Sequence, residues 1–102
     1  MTLDDLPTPC LVLDRGILAR NLATMAGRLA RHAVPLRPHM KTAKCIEVAR
    51  MALEGQPGGI TVSTVAEAEY FAAHGITDIL LAAGITPRSW LRWCSSTRWA
   101  LM

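Results

Sequence analysis

The sequence predicts an α/β fold with parallel strands, and three observations carry that prediction. Short β-rich runs alternate with stretches whose apolar residues recur at helical spacing. Glycines close helical stretches, at Gly55 and Gly75. Capping signals open others, as Thr64 with Glu67 and Thr86 with Pro87. Strands that alternate with helices imply parallel pairing through right-handed crossovers. Periodicity alone admits an open doubly wound sheet or the start of a barrel. No Gly-x-Gly-x-x-Gly turn follows any strand, which weakens a dinucleotide-binding version of the open sheet.

Residues 1–9 read as a leader, because Pro7 and Pro9 oppose helix. Cys10-Leu11-Val12-Leu13 reads as a short strand, and Asp14 as the N-cap of a helix running to about His32. Ile17, Leu18, Leu22, Met25 and Leu29 form its apolar stripe. Val34 to Arg37 is the next expected strand. A helix over about Ala43 to Leu53 follows, with Ile46, Ala49 and Leu53 on one face. Gly59-Ile60-Thr61-Val62-Ser63 is β-rich, and Thr64 caps a third helix reaching about His74. Asp78 to Ala82 is another strand, and a last helix is expected after Thr86-Pro87.

The 102 residues suggest one domain or part of one, since a complete eight-unit barrel needs about 250. Composition is that of a soluble globular chain, 51% hydrophobic and 19% charged. No apolar stretch approaches the roughly 20 residues of a membrane span. The acidic start Met1-Thr2-Leu3-Asp4-Asp5 lacks the pattern of a signal peptide. Cys10, Cys45 and Cys94 are odd in number and widely spaced, which supports neither a disulfide framework nor a zinc knuckle. A reducing cytoplasm is the simplest expectation. His32, His39 and His74 have no metal-ligand spacing. The net charge of +3 arises from Arg88, Arg92 and Arg98, because residues 1–87 carry eight basic and eight acidic side chains. That is no broad basic face for nucleic acid.

Chemistry points to Arg37-Pro38-His39-Met40-Lys41-Thr42-Ala43-Lys44. Lys41 falls at the end of an expected strand, where α/β folds place their active groups. A deprotonated amine at a protected site is a nucleophile able to form an imine with an aldehyde cofactor. His39 and Arg37 add polar groups beside it. Lys44 reads as a solvated lysine, and His39 taken alone as a hydrogen-bonded loop histidine. Glu67 reads as the capping partner of Thr64, and Glu69 as an exposed helix residue. Tyr70 and Phe71 are adjacent, so at most one faces the core. Cys45 sits at a helix start, where a thiol can be activated, but a small buried cysteine is the simpler reading.

RPHMKTAK, with LPTPCLVLD upstream and ITVSTVAEAEYFAAHGITDILLAAGITP downstream, resembles the N-terminal part of the D-threonine aldolase and D-serine dehydratase family. These are pyridoxal phosphate enzymes of the alanine racemase fold, and the resemblance covers residues 3 to 87. It implies the first β/α units of a (β/α)8 barrel, incomplete here, with the family's C-terminal β-domain absent. It also allows Cys10 to Leu13 to belong to a β-domain. The domain reading is therefore residues 1–87 as the N-terminal part of the barrel and 88–102 as an atypical tail.

By resemblance, Lys41 is the Schiff-base lysine, and His39 and Arg37 shape the cofactor pocket. Thr42 matches the motif without an assigned role. Some relatives carry histidine where Ala43 stands, which tilts away from the D-serine dehydratase branch. Single-domain pyridoxal phosphate carriers show a Val-Ser-Lys type strand end, unlike Arg-Pro-His-Met-Lys. The implied reaction is aldol cleavage of D-3-hydroxy amino acids to glycine and an aldehyde, with the cofactor as electron sink. Elimination of the β-hydroxyl, as in D-serine dehydratase, is the alternative, and a non-enzymatic cofactor-binding protein is a third. A divalent metal on the β-hydroxyl would assist either reaction. Its ligands belong to the β-domain, so no metal site is expected in this chain. The partner is a small D-amino acid, and a homodimer is compatible with a longer parent.

The tail breaks the pattern. Trp90, Trp93 and Trp99 all lie in the last 13 residues, and residues 88–102 hold neither acid nor glycine. Cys94-Ser95-Ser96-Thr97 is expected to interrupt any helix. A shifted reading frame is one explanation, and a short amphipathic end with Trp90 and Trp93 packed on the sheet is the other. An unclosed barrel leaves apolar faces and a sheet edge uncovered, which predicts aggregation or instability.

Overall fold

The computed structural model describes residues 1–95. A single 3-10 turn, Leu3–Asp5, interrupts the leader; Thr2 and Asp5 close it, and the prolines follow it. Helix α1 spans Arg15–Ala30, α2 Ile46–Leu53, α3 Val65–Ala73 and α4 Pro87–Ser95. Strands β1, Ile60–Val62, and β2, Ile79–Leu81, pair in parallel in the register Ile60 with Ile79 and Val62 with Leu81. α3 crosses between them, as the alternation predicted.

The caps form as the sequence indicates. Asp14 accepts from the Ile17 amide at 2.8 Å, Thr64 from the Glu67 amide at 3.1 Å and Thr86 from the Ser89 amide at 3.2 Å. α2 starts at Ile46, three residues after the expected Ala43. Lys44 is in the left-handed region with φ +44°, and its amide closes a turn onto the Met40 carbonyl at 2.9 Å. Helix therefore cannot begin before Cys45, the extended N-cap residue.

Two expected strands are absent. Cys10 to Leu13 pairs with nothing among the described residues, and Leu11 is fully exposed. Val34 to Arg37 is not a strand either. The chain meets β1 slightly later, through a parallel bridge between His39 and Thr61. The Thr61 amide donates to the Pro38 carbonyl at 2.9 Å, and the Met40 amide donates to the Thr61 carbonyl at 2.8 Å. The next ladder bond toward residue 59 would need an N–H at Pro38, which proline lacks. On the other side the Ser63 amide turns instead to the Glu67 carboxylate at 2.8 Å. The third strand position is thus held by one bridge, with 38–40, β1 and β2 side by side.

The core gathers Met40, Ile46, Ala49, Ile60, Val62, Ala68, Phe71, Ile79 and Trp93. β1 is buried along its whole length, as a parallel strand covered on both faces should be. Phe71 is fully buried and Tyr70 partly exposed, so one of the adjacent pair faces the core. α4 continues through Cys94 and Ser95, where an interruption was expected; Ser96, Thr97 and Trp99 lie outside the described residues. The Ser95 hydroxyl bonds back to the Arg92 carbonyl at 2.9 Å, a geometry helices tolerate. Trp93 buries to 4% exposure while Trp90 stays exposed. Arg92 forms an ion pair with Glu69, which joins α4 to α3 and makes Glu69 more than a solvated residue.

The other half is thinly packed. α1 contributes no buried residue, and Ile17 and Met25 of its stripe remain exposed. The radius of gyration is 15.7 Å, against about 13 Å for a compact domain of about 100 residues. Its extents of 45 × 41 × 22 Å describe a slab, as expected of an unclosed α/β layer.

Gly59 marks a tight approach below the sheet. Its φ is +90°, and an added Cβ would sit 2.5 Å from the Arg37 guanidinium carbon and against Asp78. Gly59→Ala should therefore cost about 1–3 kcal/mol through backbone strain alone, and more through the clash. Urea unfolding checks this; an unchanged midpoint would remove the close approach from the account.

Candidate functional site

The bridged segment 38–40 and the parallel strands β1 and β2 all point their C-terminal ends to one edge, and Lys41 leaves the sheet there. Met40 fixes the backbone that delivers it. The Met40 side chain is 2% exposed, its amide is bound to Thr61 and its carbonyl to Lys44. Lys41 itself is exposed. Its ammonium forms no ion pair among the described residues. The other lysine, Lys44, pairs with Glu67 at 3.3 Å, so it is not simply solvated.

His39 comes to the same edge. Its Nδ1 accepts from the Lys41 amide at 3.2 Å, and its Nε2 lies 3.4 Å from the Ser63 hydroxyl. Ser63 follows β1 and lines a cleft of about 440 Å³ over the strand ends, with Thr64, Leu81, Gly84, Thr86 and Arg88 around it. Small-molecule sites begin at about 300 Å³.

Arg37 does not join them. Its guanidinium reaches the opposite edge, where it holds both Asp78 oxygens at 2.8 and 2.9 Å and the Ile60 carbonyl at 3.2 Å. The structure thus separates Arg37 from Lys41 and His39, against the grouping expected from the motif. Asp78 precedes β2 and Ile60 opens β1, so the arginine clamps the strand entrances.

Glu67 is the residue whose weight the sequence understated. The carboxylate is 8% exposed. It accepts from the Ser63 amide and meets Lys44, in addition to its place in the Thr64 cap. Burial pushes its pKa up, but the Ser63 amide, the Lys44 ammonium and the Thr64 amide outweigh this and hold the carboxyl below the usual range. The spacing Thr64 to Glu67 signals a cap; the contact with Lys44 spans two elements and has no local signal.

Cys45 is half-buried, and its thiol donates to Glu47 at 2.9 Å. That bond holds the Glu47 carboxyl below its ordinary value. Among the described residues no set of three His, Cys, Asp or Glu side chains is placed to hold a metal ion, and no helix is long and apolar enough to cross a membrane.

A model of the alanine racemase N-terminal domain matches residues 13–100. The chain belongs to this family. It is 46% identical over 86 residues to D-threo-3-hydroxyaspartate dehydratase of Delftia sp. strain HT23, covering 84% of this chain and 23% of that protein. It is also 46% identical over 72 residues to a D-threonine aldolase of Arthrobacter sp., covering 71% and 19%. The crystal structure of D-threonine aldolase from Filomicrobium marinum matches with a TM-score of 0.82 at 34% identity, over 97% of this chain and 27% of that one. The chain thus spans about a fifth to a quarter of the length of these relatives. The family settles the architecture left open by periodicity: these are β/α units of an alanine racemase-type barrel, incomplete in this chain.

Loss of the Glu67 carboxylate should be felt at neutral pH. Its folded pKa is depressed, so its stabilisation is fully present above the ordinary value of 4.5 and is lost as pH falls through the lower folded value. Glu67→Gln should lower stability by about 1–3 kcal/mol at pH 7 and flatten the decline below pH 4.5. Urea titrations from pH 3 to 7 test both; parallel profiles for the two proteins would contradict the assignment.

Proposed function

We propose that this chain carries the cofactor-anchoring part of a pyridoxal phosphate-dependent lyase of D-3-hydroxy amino acids, of the D-threonine aldolase type. The observation that supports it most is the contrast between the two lysines at the strand ends. Lys44 is engaged by a buried carboxylate, whereas Lys41 is exposed, without a carboxylate partner among the described residues, on a backbone fixed by Met40.

The residues present fit such a cofactor. A primary amine, a histidine and a serine hydroxyl share the C-terminal edge, and of the three Ser63 lines the cleft. Lys41 would hold the aldehyde carbon covalently, and His39 would lie beside it. Pyridoxal phosphate, when bound, supplies the electron sink for charge released at Cα. The turn from Met40 to Lys44 limits the backbone freedom of Lys41, which favours one approach direction. Arg37, proposed from the motif to shape the pocket, would support it only from the far edge, through β1. A divalent metal is assigned to elements beyond this chain, and the chain alone is expected to be inactive.

Aldol cleavage is favoured by the match to D-threonine aldolases and by Ala43 in place of histidine. The equal identity to a D-threo-3-hydroxyaspartate dehydratase keeps elimination as the alternative. In a protein spanning the relatives' full length, D-threonine yielding an aldehyde supports the first. Ammonia release from D-3-hydroxyaspartate or D-serine supports the second, and a loaded but inert protein supports a carrier. We assign it to the cytoplasm, with a D-amino acid as its partner.

The chain has only two lysines, which makes the anchor testable. Incubation with pyridoxal phosphate, borohydride reduction and peptide mapping should label Lys41 at least about tenfold over Lys44, as expected for a lysine selected by its site. Lys41→Ala should abolish the bound cofactor's absorbance. Equal labelling, or absorbance retained in that variant, refutes the role.

A further inference from the structure

We propose that Ser63 donates a hydrogen bond to an oxygen of the bound cofactor, and that His39 sets the direction of that donation. The inference rests on the pyridoxal phosphate reading above and adds a binding residue to it.

The argument is one of hydrogen-bond polarity. The Lys41 backbone amide can only donate, and it points at His39 Nδ1 at 3.2 Å. Nδ1 must therefore carry the lone pair, so the ring proton of the neutral histidine is on Nε2. Nε2 lies 3.4 Å from the Ser63 hydroxyl oxygen, and with its proton there it is the donor. Ser63 Oγ then accepts from His39, and its own proton is directed elsewhere. Its neighbours do not claim it: the Ser63 amide is bound to Glu67, and no carboxylate or carbonyl accepts from the hydroxyl among the described residues. Ser63 is partly exposed and lines the 440 Å³ cleft at the edge where Lys41 emerges. A hydroxyl that accepts from His39 through one of its two lone pairs keeps its proton for another partner, and on a cleft wall a ligand acceptor can be that partner. The phosphate and phenolate oxygens of pyridoxal phosphate are acceptors of that class. His39 is then a positioning residue. It links the lysine's own backbone to the hydroxyl, so the backbone of Lys41 and the donor keep a fixed relation.

Binding can be read without turnover. The purified chain is titrated with pyridoxal phosphate by absorbance, and the Lys41 adduct is trapped with borohydride at each concentration. Ser63→Ala should weaken binding about tenfold or more, as loss of a hydrogen bond to a charged group does. Ser63→Thr keeps the hydroxyl and should stay within about threefold of the parent. His39→Ala should weaken binding, whereas His39→Gln, whose amide N–H can replace Nε2–H, should restore most of it. Circular dichroism confirms that each variant is folded; if Ser63→Ala is not, the Thr and Gln variants still decide through rescue. A trapped Lys41 adduct with parental affinity in Ser63→Ala overturns this inference alone. No adduct at Lys41 in the parent chain overturns the cofactor reading, and this inference with it.

Discussion

Thr61 exchanges two backbone hydrogen bonds with the 38–40 segment, and the placement of Lys41 depends on that pair. One bond runs from its amide to Pro38, the other from Met40 to its carbonyl. Met40 is then fixed twice more, by burial of its side chain and by the Lys44 amide on its carbonyl. The peptide that enters Lys41 is held from every side, while the side chain remains outside. β1 transmits this to the rest of the sheet: the Ile60 amide bonds Asp78, and the Ala82 amide bonds Val62. Thr61 is therefore the middle of a three-row arrangement, although only two rows are regular strands.

Charged contacts secure the two ends of this row unequally. At the entrances, Arg37 meets Asp78 through two bonds, but both partners are well exposed, with 36% and 54% of their side-chain surface open. Exposed pairs contribute little, though paired Arg–carboxylate geometry adds direction. At the exits, Glu67 is buried and serves an amide of β1's continuation, a helix cap and Lys44 together. A buried carboxylate stripped of its partners is costly. The exit end therefore depends more on its acid, and that is the end where Lys41, His39 and Ser63 meet.

What was legible in the sequence is what local physics decides. Asp14, Thr64 and Thr86 announce their helices because a cap involves only three or four residues, and Gly75, at φ +90°, ends α3 for equally local reasons. The missing strands at 10–13 and 34–37 show the other case. Their residues favour extended chain, but a strand exists only with a partner, and Pro38 removes the donor that would extend pairing toward Val34. The late start of α2 follows from Lys44 in a left-handed turn, a conformation that a lysine does not advertise. The exposed place of Lys41 at the C-terminal edge was legible through its position after an expected strand. Arg37 was placed beside Lys41 because the two are near in sequence, yet its long side chain turns back to Asp78 and Ile60 at the strand entrances, while His39 meets Ser63 at the exits.

The distribution of packing explains how the lysine can be well placed in so open a molecule. Core residues run from Met40 to Trp93, and Lys41 lies inside that interval. α1, by contrast, buries no residue, and the leader exposes Leu11, Val12 and Leu13. Barrel units cover one another, so a chain spanning about a quarter of its relatives' length leaves the outer members of the series bare. The backbone at Lys41 does not share that dependence. Its bridge, its turn and its acid all come from residues 38–67, whose contacts are already closed by β1, α2 and α3. The backbone that carries Lys41 is therefore set by one β/α unit and the strand beside it, while the outer faces stay exposed.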